Sequence, residues 1–266
     1  MDNNKIYVGD VSTVLRQFED DFFDITVTSP PYNKQKAAGG LVKKVEYGEN
    51  TDNMPEDQYQ HQQIMVLNQL WRVTKPGGHI FYNHKLRWQD GKMIHPLEWL
   101  SKTMWDIRQE LIWDRGIAGN LRGWRFWQIE ERIYWMQKGL VLGDELASRH
   151  AKMTSVWRMR PEGGHKEHPA PFPIELPVRC IYSIADERRG LNVLDPYCGI
   201  GTTLVAASAM DHNYVGIEVN DTYAELAKQR LQSTSDDAER VCVEQNLHNV
   251  EMSYQERKKL KLSKSQ

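Results

Sequence analysis

The segment Thr28-Ser29-Pro30-Pro31-Tyr32 places a small hydroxyl, two prolines and a phenol ring in immediate succession. It follows Ile25-Thr26-Val27, an apolar and β-branched run, so a buried strand is expected to end in a stiff turn here. Two prolines fix two φ angles and remove two backbone donors, leaving their carbonyls as acceptors in a pre-set geometry. Such a turn suits a planar group that carries an amino function. Taken alone, the same residues read as readily as a Ser-Pro loop start with a surface tyrosine.

A second constellation lies far downstream. Leu194-Asp195-Pro196-Tyr197-Cys198-Gly199-Ile200-Gly201-Thr202-Thr203 reads as a short strand, a glycine turn and the start of a small-residue helix. Glycines at 199 and 201 let a ligand approach the backbone and let helix and strand pack closely. The third glycine of a dinucleotide fingerprint is missing, and no Gly-Lys-Ser/Thr follows, so this is no P-loop. Tyr214–Val219 then reads as a strand carrying Glu218 roughly 20 residues on, where an acid can accept two ribose hydroxyls. Together these features form a nucleoside-cofactor signal. An ordinary βαβ unit is the alternative.

The two constellations together resemble the amino-group DNA methyltransferases, in which D-P-x-x-G-x-G-T-T binds S-adenosylmethionine and S/D/N-P-P-Y/F holds the target amine. The catalytic motif comes first here, which is similar to the permuted β subgroup. Further blocks are similar: Tyr7-Val8-Gly9-Asp10, Arg72-Val73-Thr74-Lys75-Pro76-Gly77-Gly78, Glu110-Leu111-Ile112-Trp113-Asp114 and His168-Pro169-Ala170-Pro171-Phe172-Pro173. The resemblance covers residues 5–232. It implies an α/β, Rossmann-like fold: a mostly parallel seven-stranded sheet with helices on both faces, in permuted motif order.

The resemblance also implies site roles. Ser29, Pro30, Pro31 and Tyr32 would form the catalytic turn, with the Ser29 hydroxyl and Pro30 carbonyl drawing both amino protons out of the base plane and Tyr32 stacking on the base. Asp195, Pro196, Cys198, Gly199, Gly201, Thr202, Thr203 and Glu218 would bind the cofactor. Asp195 would meet its amino-acid end or orient the turn, the two threonines would cap the helix, and Glu218 would hold the ribose. Asp10 would contact the cofactor or act as an N-cap for the helix after it. Cys198 is expected as a small buried residue, since C5 methylation needs a Pro-Cys nucleophile and none is present. No Ser/His/acid spacing demands a covalent role for Ser29. In the family a serine before Pro-Pro-Tyr leans toward cytosine N4 over adenine N6. RNA or protein methyltransferases, and an inactive DNA-binding relative, are competing readings; the motif order and the intact motifs argue against them.

These residues sit in a chain of 266 residues with a net charge of −2 and 40% hydrophobic content. That allows a sizeable core and excludes a histone-like field, so any nucleic-acid contact must come from a local basic face. The three cysteines have neither disulfide-framework nor zinc spacing. His165 and His168 are poor candidates for metal ligands, and no metal is expected. No secretory leader or membrane-spanning run is visible, so a soluble, intracellular, cytoplasmic protein is expected.

Strands are expected at Ile6–Val8, Ile25–Thr28, His79–Tyr82, Leu111–Trp113, Arg132–Met136, Val193–Leu194 and Tyr214–Val219. Helices are expected at Val11–Phe18, Pro55–Val73, Leu97–Trp105, Ile174–Ile184, Thr202–Met210 and Thr222–Leu231. Gly77-Gly78 is expected to end the second helix. The organisation divides into a catalytic half (1–115), a target-recognition insert (116–167), a cofactor half (168–235) and a C-terminal extension (236–266). Lys34–Asn53, with Gly39-Gly40, Lys34 and Lys36, suggests a lid. Arg122-Gly123-Trp124-Arg125-Phe126-Trp127 interleaves cations and aromatics, which suits phosphate contact and base stacking, unless it is a core strand. Lys152, Arg158 and Arg160 continue the basic run. Double-stranded DNA is the partner implied, with a restriction endonuclease of the same system and a second copy of the chain, as a homodimer, as candidates.

Overall fold

The computed structural model describes residues 2–33, 54–118, 123–139, 153–162, 172–233 and 235–248. Lys34, Lys36, Arg122, Lys152, His165 and His168, the proposed lid and the basic end of the chain lie outside these residues.

The seven expected strands all form, with ends shifted by a few residues. They are β1 (Lys5–Val8), β2 (Phe23–Thr28), β3 (Thr74–His84), β6 (Asp106–Asp114), β7 (Glu130–Gln137), β9 (Asn192–Asp195) and β10 (Asn213–Glu218). An eighth, β8 (Val156–Arg158), joins the edge, giving one sheet of order β1-β10-β9-β2-β3-β7-β6-β8. Three residues are too few to show an alternating pattern, which is why β8 escapes a reading of the sequence. The pairs from β1 through β3 are parallel, and β7 runs antiparallel to both β3 and β6. A small hairpin of β4 (Arg87–Gln89) and β5 (Lys92–Ile94) stands apart.

Helices cover both faces, as continuous apolar strands require. On one face α1 (Val11–Leu15), α2 (Glu56–Val73) and the single turn α3 (Leu97–Leu100) pack over Ile80, Tyr82, Leu194, Val215 and Ile217. On the other, α4 (Glu175–Ala185), α5 (Thr202–Ala209) and α7 (Ser235–His248) cover Ile25, Val27, Phe81 and Val193. Helix α6 (Asp221–Gln232) packs Ala224 and Ala227 against Leu204 and Ile6. The C-terminal extension thus begins with a helix whose Val241 belongs to the main core.

Two expectations need correction. Helix α3 stops well before Trp105, because Asn68 takes the Met104 N–H and the Trp105 indole donates to the Leu67 carbonyl at 2.8 Å. These bonds tie the chain to α2 and start it toward β6. Gly77-Gly78 does not end α2: the helix ends at Val73, and Thr74 already pairs with Phe23. The glycines instead absorb a jump in register from Phe23–Thr74 to Ile25–His79. A Cβ on Gly78 would lie 2.6 Å from Thr74 Cγ2 and 2.9 Å from the Lys75 carbonyl.

Gly201 sets the approach of α5 to α6. It is left-handed (φ 79°), and a Cβ there would stand 3.0 Å from that of Ala227. Gly201→Ala is therefore expected to lower the unfolding free energy by about 1–3 kcal/mol. Urea denaturation checks this, and an unchanged midpoint would contradict it.

Candidate active site

Because β1, β10, β9 and β2 are parallel, their C-terminal ends open on one side of the sheet, where α/β folds place ligands. A cleft of about 300 Å³ lies there. The residues after β2 (Ser29–Asn33) form one wall, those after β9 (Pro196–Ile200) another, and Gly9–Val11 with Ile217–Val219 a third. Trp113, Arg115 and Phe172 close it from the far half of the sheet.

In the cofactor half, Glu218 organises the glycine turn. One carboxylate oxygen accepts the Gly199 N–H at 2.8 Å and the other accepts the Asn220 N–H at 2.9 Å. Burial pushes its pKa up, and these N–H groups pull it back. Gly216 lies beneath the turn, where a Cβ would stand 2.6 Å from Leu204 and 2.8 Å from Cys198 Sγ. Cys198 is a buried packing residue whose thiol pKa is raised by desolvation. Asp10 caps α1, accepting from Ser12 and Thr13 at 3.0 and 3.1 Å, and also lines the cleft.

Three of the expected cofactor residues are absent from the cleft wall. Asp195, Gly201 and Thr203 stand behind it, whereas Pro196, Cys198, Gly199, Thr202 and Glu218 line it. Neither threonine caps α5. The N-cap is Gly201, which has no side chain to offer, while Thr203 donates to the Val27 carbonyl and Thr202 accepts from Arg230 at 2.9 Å. Asp195 is buried and orients the turn: its Oδ1 accepts from Thr28 Oγ1 at 2.9 Å and from the Tyr197 N–H at 3.1 Å. Desolvation raises its pKa to about 6, against the pull of Thr203, Thr28 and Tyr197.

In the catalytic half, Ser29 Oγ lies 2.5 Å from Tyr32 Oη, and Tyr32 donates to Glu131 Oε2 at 2.9 Å. With the Tyr32 O–H directed at Glu131, the serine O–H donates to Tyr32, and Ser29 Oγ can still accept from a ligand beside its 3.3 Å contact with Asn83 Nδ2. Asn83 Nδ2 lies 2.8 Å from both Tyr32 Oη and Glu131 Oε2. Lys85 and Arg115 reach Glu131 Oε1 at 3.1 and 3.4 Å. Behind the turn, Tyr59 donates to the Pro31 carbonyl at 2.8 Å and contacts His84 Nε2 at 2.7 Å. His84 is buried, and desolvation with Arg87 nearby lowers its pKa to about 3, so it is neutral. Asn33 (φ 51°) exchanges two hydrogen bonds with the Met54 backbone at 2.8 and 2.9 Å.

Sequence reasoning missed Asn83, Lys85, Arg115, Glu131 and Tyr59. One signal for Glu131 existed: it shares strand parity with the core residues Ile133 and Trp135, an unusual place for a charge. Trp124 and Arg125 lie in no strand, so the core-strand alternative fails. Trp124 is 57% exposed, and the Arg125 guanidinium stacks 3.9 Å over the Trp88 ring. Arg158 pairs with Asp114 at 2.8 Å and holds that carboxyl's pKa down; it and Arg160 are exposed at the β8 edge.

The fold and cleft define a Rossmann-like α/β protein whose cleft opens at the C-terminal ends of its parallel strands. Against the family model described as a DNA methylase, N6_N4_Mtase, residues 23–229 match, and the chain belongs to that family. It is 26% identical over 273 residues to the type II methyltransferase M.BglII of Bacillus subtilis, spanning 88% of this chain and 70% of that protein. It is 26% identical over 275 residues to the type II methyltransferase M.SmaI of Serratia marcescens, spanning 85% and 90%. In fold it is similar to the cytosine-N4-specific PvuII DNA methyltransferase, at TM-score 0.69 and 17% identity over 91% of this chain and 93% of that one. The putative DNA modification methylase TTHA0409 of Thermus thermophilus, in complex with S-adenosyl-L-methionine, is similar at TM-score 0.62 and 24% identity, over 86% and 95%.

Asp195 makes stability pH-dependent in a defined direction. Its folded pKa lies above the ordinary 3.8, so the fold favours the protonated acid. That contribution is complete below 3.8 and lost as pH rises through about 6. Asp195→Asn keeps the oxygen that Thr28 and Tyr197 use and cannot ionise. Relative to wild type, it should gain about 2 kcal/mol between about pH 4 and pH 7 in urea titrations. A pH-independent difference would contradict this.

Proposed function

We propose that this chain is a site-specific DNA methyltransferase that transfers a methyl group from S-adenosylmethionine to the exocyclic amino group of a base extruded from duplex DNA. The preferred target is cytosine N4, and adenine N6 is the alternative. One observation carries the reading: the Thr28–Asp195 hydrogen bond sets the ends of β2 and β9 side by side, so the Ser29–Tyr32 turn and the Gly199–Glu218 turn share one cleft.

The cofactor half suits this ligand. The described walls at Gly9–Val11, Pro196–Thr202 and Ile217–Val219 carry two acids, Asp10 and Glu218, and no cation, which fits a molecule bearing a sulfonium and an ammonium. Glu218 would hold the ribose hydroxyls, and Gly199 would let the adenosine lie against the backbone. The cofactor supplies an already electrophilic methyl, so much of the rate comes from positioning. Ser29 and the Pro30 carbonyl accept the two amino protons, which frees the nitrogen lone pair from the ring. Extrusion of the base costs roughly a few kcal/mol. The Trp124–Arg125 segment and, at the β8 edge, Arg158 and Arg160 would supply cations and an aromatic ring for phosphates and bases. Lys34, Lys36, Arg122 and Lys152 extend this set in sequence.

The serine of the catalytic turn supports cytosine N4, as does the likeness to the cytosine-N4-specific PvuII enzyme. The relatives' type II names support a role in restriction-modification beside a cognate endonuclease. Among the described residues no helix is long and apolar enough to cross a membrane.

The test is product analysis. Incubation with labelled S-adenosylmethionine and mixed-sequence duplex, digestion to nucleosides and mass spectrometry should yield N4-methylcytosine. N6-methyladenine would favour the alternative, and a methylated RNA or protein product would overturn the reading. Glu218→Ala should weaken cofactor binding at least about tenfold by calorimetry, as loss of a charged hydrogen-bond partner implies. Unaltered affinity would remove Glu218 from the site.

A further inference from the structure

We propose that Glu131 is the terminal proton acceptor of the catalytic turn, reached from the methylated amino group through the hydroxyls of Ser29 and Tyr32. The proposal rests on the amino-group transfer argued above.

Glu131 sits near the start of β7, only 4% exposed, on the strand face that otherwise carries Ile133 and Trp135. A carboxylate in such a place is costly unless its charge is compensated. Lys85 at 3.1 Å and Arg115 at 3.4 Å compensate it through one oxygen. The other oxygen faces the catalytic turn and takes the Tyr32 hydroxyl at 2.9 Å. Tyr32 in turn meets Ser29 Oγ at 2.5 Å. Three oxygen-bearing groups from two distant parts of the chain, the 29–32 turn and the start of β7, therefore form an unbroken hydrogen-bonded line along the cleft wall. Asn83 Nδ2 braces it, lying 2.8 Å from both Tyr32 Oη and Glu131 Oε2 and 3.3 Å from Ser29 Oγ. Burial and the Glu131 charge hold the Tyr32 pKa well above its ordinary value, so the phenol passes a proton on without storing a charge.

The step balances. Methyl transfer forms a nitrogen–carbon bond with the amino lone pair and breaks the carbon–sulfur bond, whose electron pair stays on sulfur. The nitrogen is left with a positive charge and a proton to lose. That proton passes to Ser29 Oγ as the serine's own passes to Tyr32 Oη and the tyrosine's to Glu131 Oε2. Both hydroxyls end as they began, the nitrogen is neutral, and Glu131 is a neutral acid. The proton is released to water when product leaves, which restores the carboxylate paired with Lys85 and Arg115.

Glu131→Gln and Glu131→Asp test the proposal. Glutamine preserves the shape and an acceptor for Tyr32 but cannot accept the proton. Single-turnover transfer to mixed-sequence duplex should fall about 100-fold in Glu131→Gln. Affinities for cofactor and DNA, read by calorimetry and anisotropy, should stay within about twofold, and Glu131→Asp should recover much of the rate. Wild type should show a normal solvent deuterium isotope effect on transfer that Glu131→Gln lacks. In the cofactor-free protein, the near-ultraviolet difference between wild type and Glu131→Gln should show one tyrosine exchanging a charged acceptor for a weaker neutral one, and the signal should vanish in a Tyr32→Phe background. Transfer by Glu131→Gln at the wild-type rate, equal loss in both variants with an unchanged isotope effect, or a difference spectrum indifferent to Tyr32→Phe would each overturn the relay. A wild-type protein that makes no N-methylated nucleoside overturns the amino-transfer reading beneath it, whereas a methylating wild type with an equally active Glu131→Gln overturns the relay alone.

Discussion

The parallel pairing of β2 with β9 is the constraint on which the rest of the molecule depends. It joins Ile25 to Val193 and Thr26 to Leu194, and beyond it Thr28 Oγ1 donates to Asp195 at 2.9 Å across 167 residues of sequence. Each strand end carries one turn, and the two turns form facing walls of the same cleft. Parallel strands require crossover connections, and the described elements between β2 and β9 cover the sheet and build the far wall of the cleft. The buried Asp195 is the joint between the two turns. Its raised pKa records the cost of placing a carboxyl in the core to hold two loops in register.

The cleft is electrostatically divided. Acids line the end near β1 and β10, and Lys85, Arg115 and Glu131 line the end near β3, β6 and β7. The antiparallel β7 makes the second arrangement. It reverses direction between β3 and β6, and so brings the beginning of a strand, Glu131, beside the end of another, Asn83. A sheet parallel throughout would offer only strand ends here. Tyr59 and the neutral His84 stiffen the proline turn from behind, so the hydroxyl line from Ser29 to Glu131 is held by packing as well as by hydrogen bonds.

What the sequence made legible was what local physics writes into it. Two prolines after a β-branched run, glycines between a strand and a small-residue helix, and an acid closing the next strand each carry meaning at short range. They gave the seven main strands, most of the helices and both turns. Features settled by distant partners were not legible. Whether Asp195 faces the cleft or the core depends on Thr28. Whether Thr202 and Thr203 cap α5 depends on Arg230 and Val27, which engage their hydroxyls elsewhere. Helix α3 is cut short by Asn68 and Leu67 of another helix. Glu131 becomes meaningful only once β7 has packed beside β3.

The central claim is that the proline turn acts on the substrate amine while the glycine turn, across the same cleft, holds the cofactor. Ser29→Ala separates the two most directly, measured for S-adenosylmethionine affinity by calorimetry and for single-turnover methyl transfer to duplex DNA. Affinity should stay within about twofold of wild type while transfer falls by about 100-fold or more, the scale expected when a catalytic hydrogen-bonding group is removed. Transfer at the wild-type rate, or a loss of cofactor affinity that matches the loss of transfer, would contradict it.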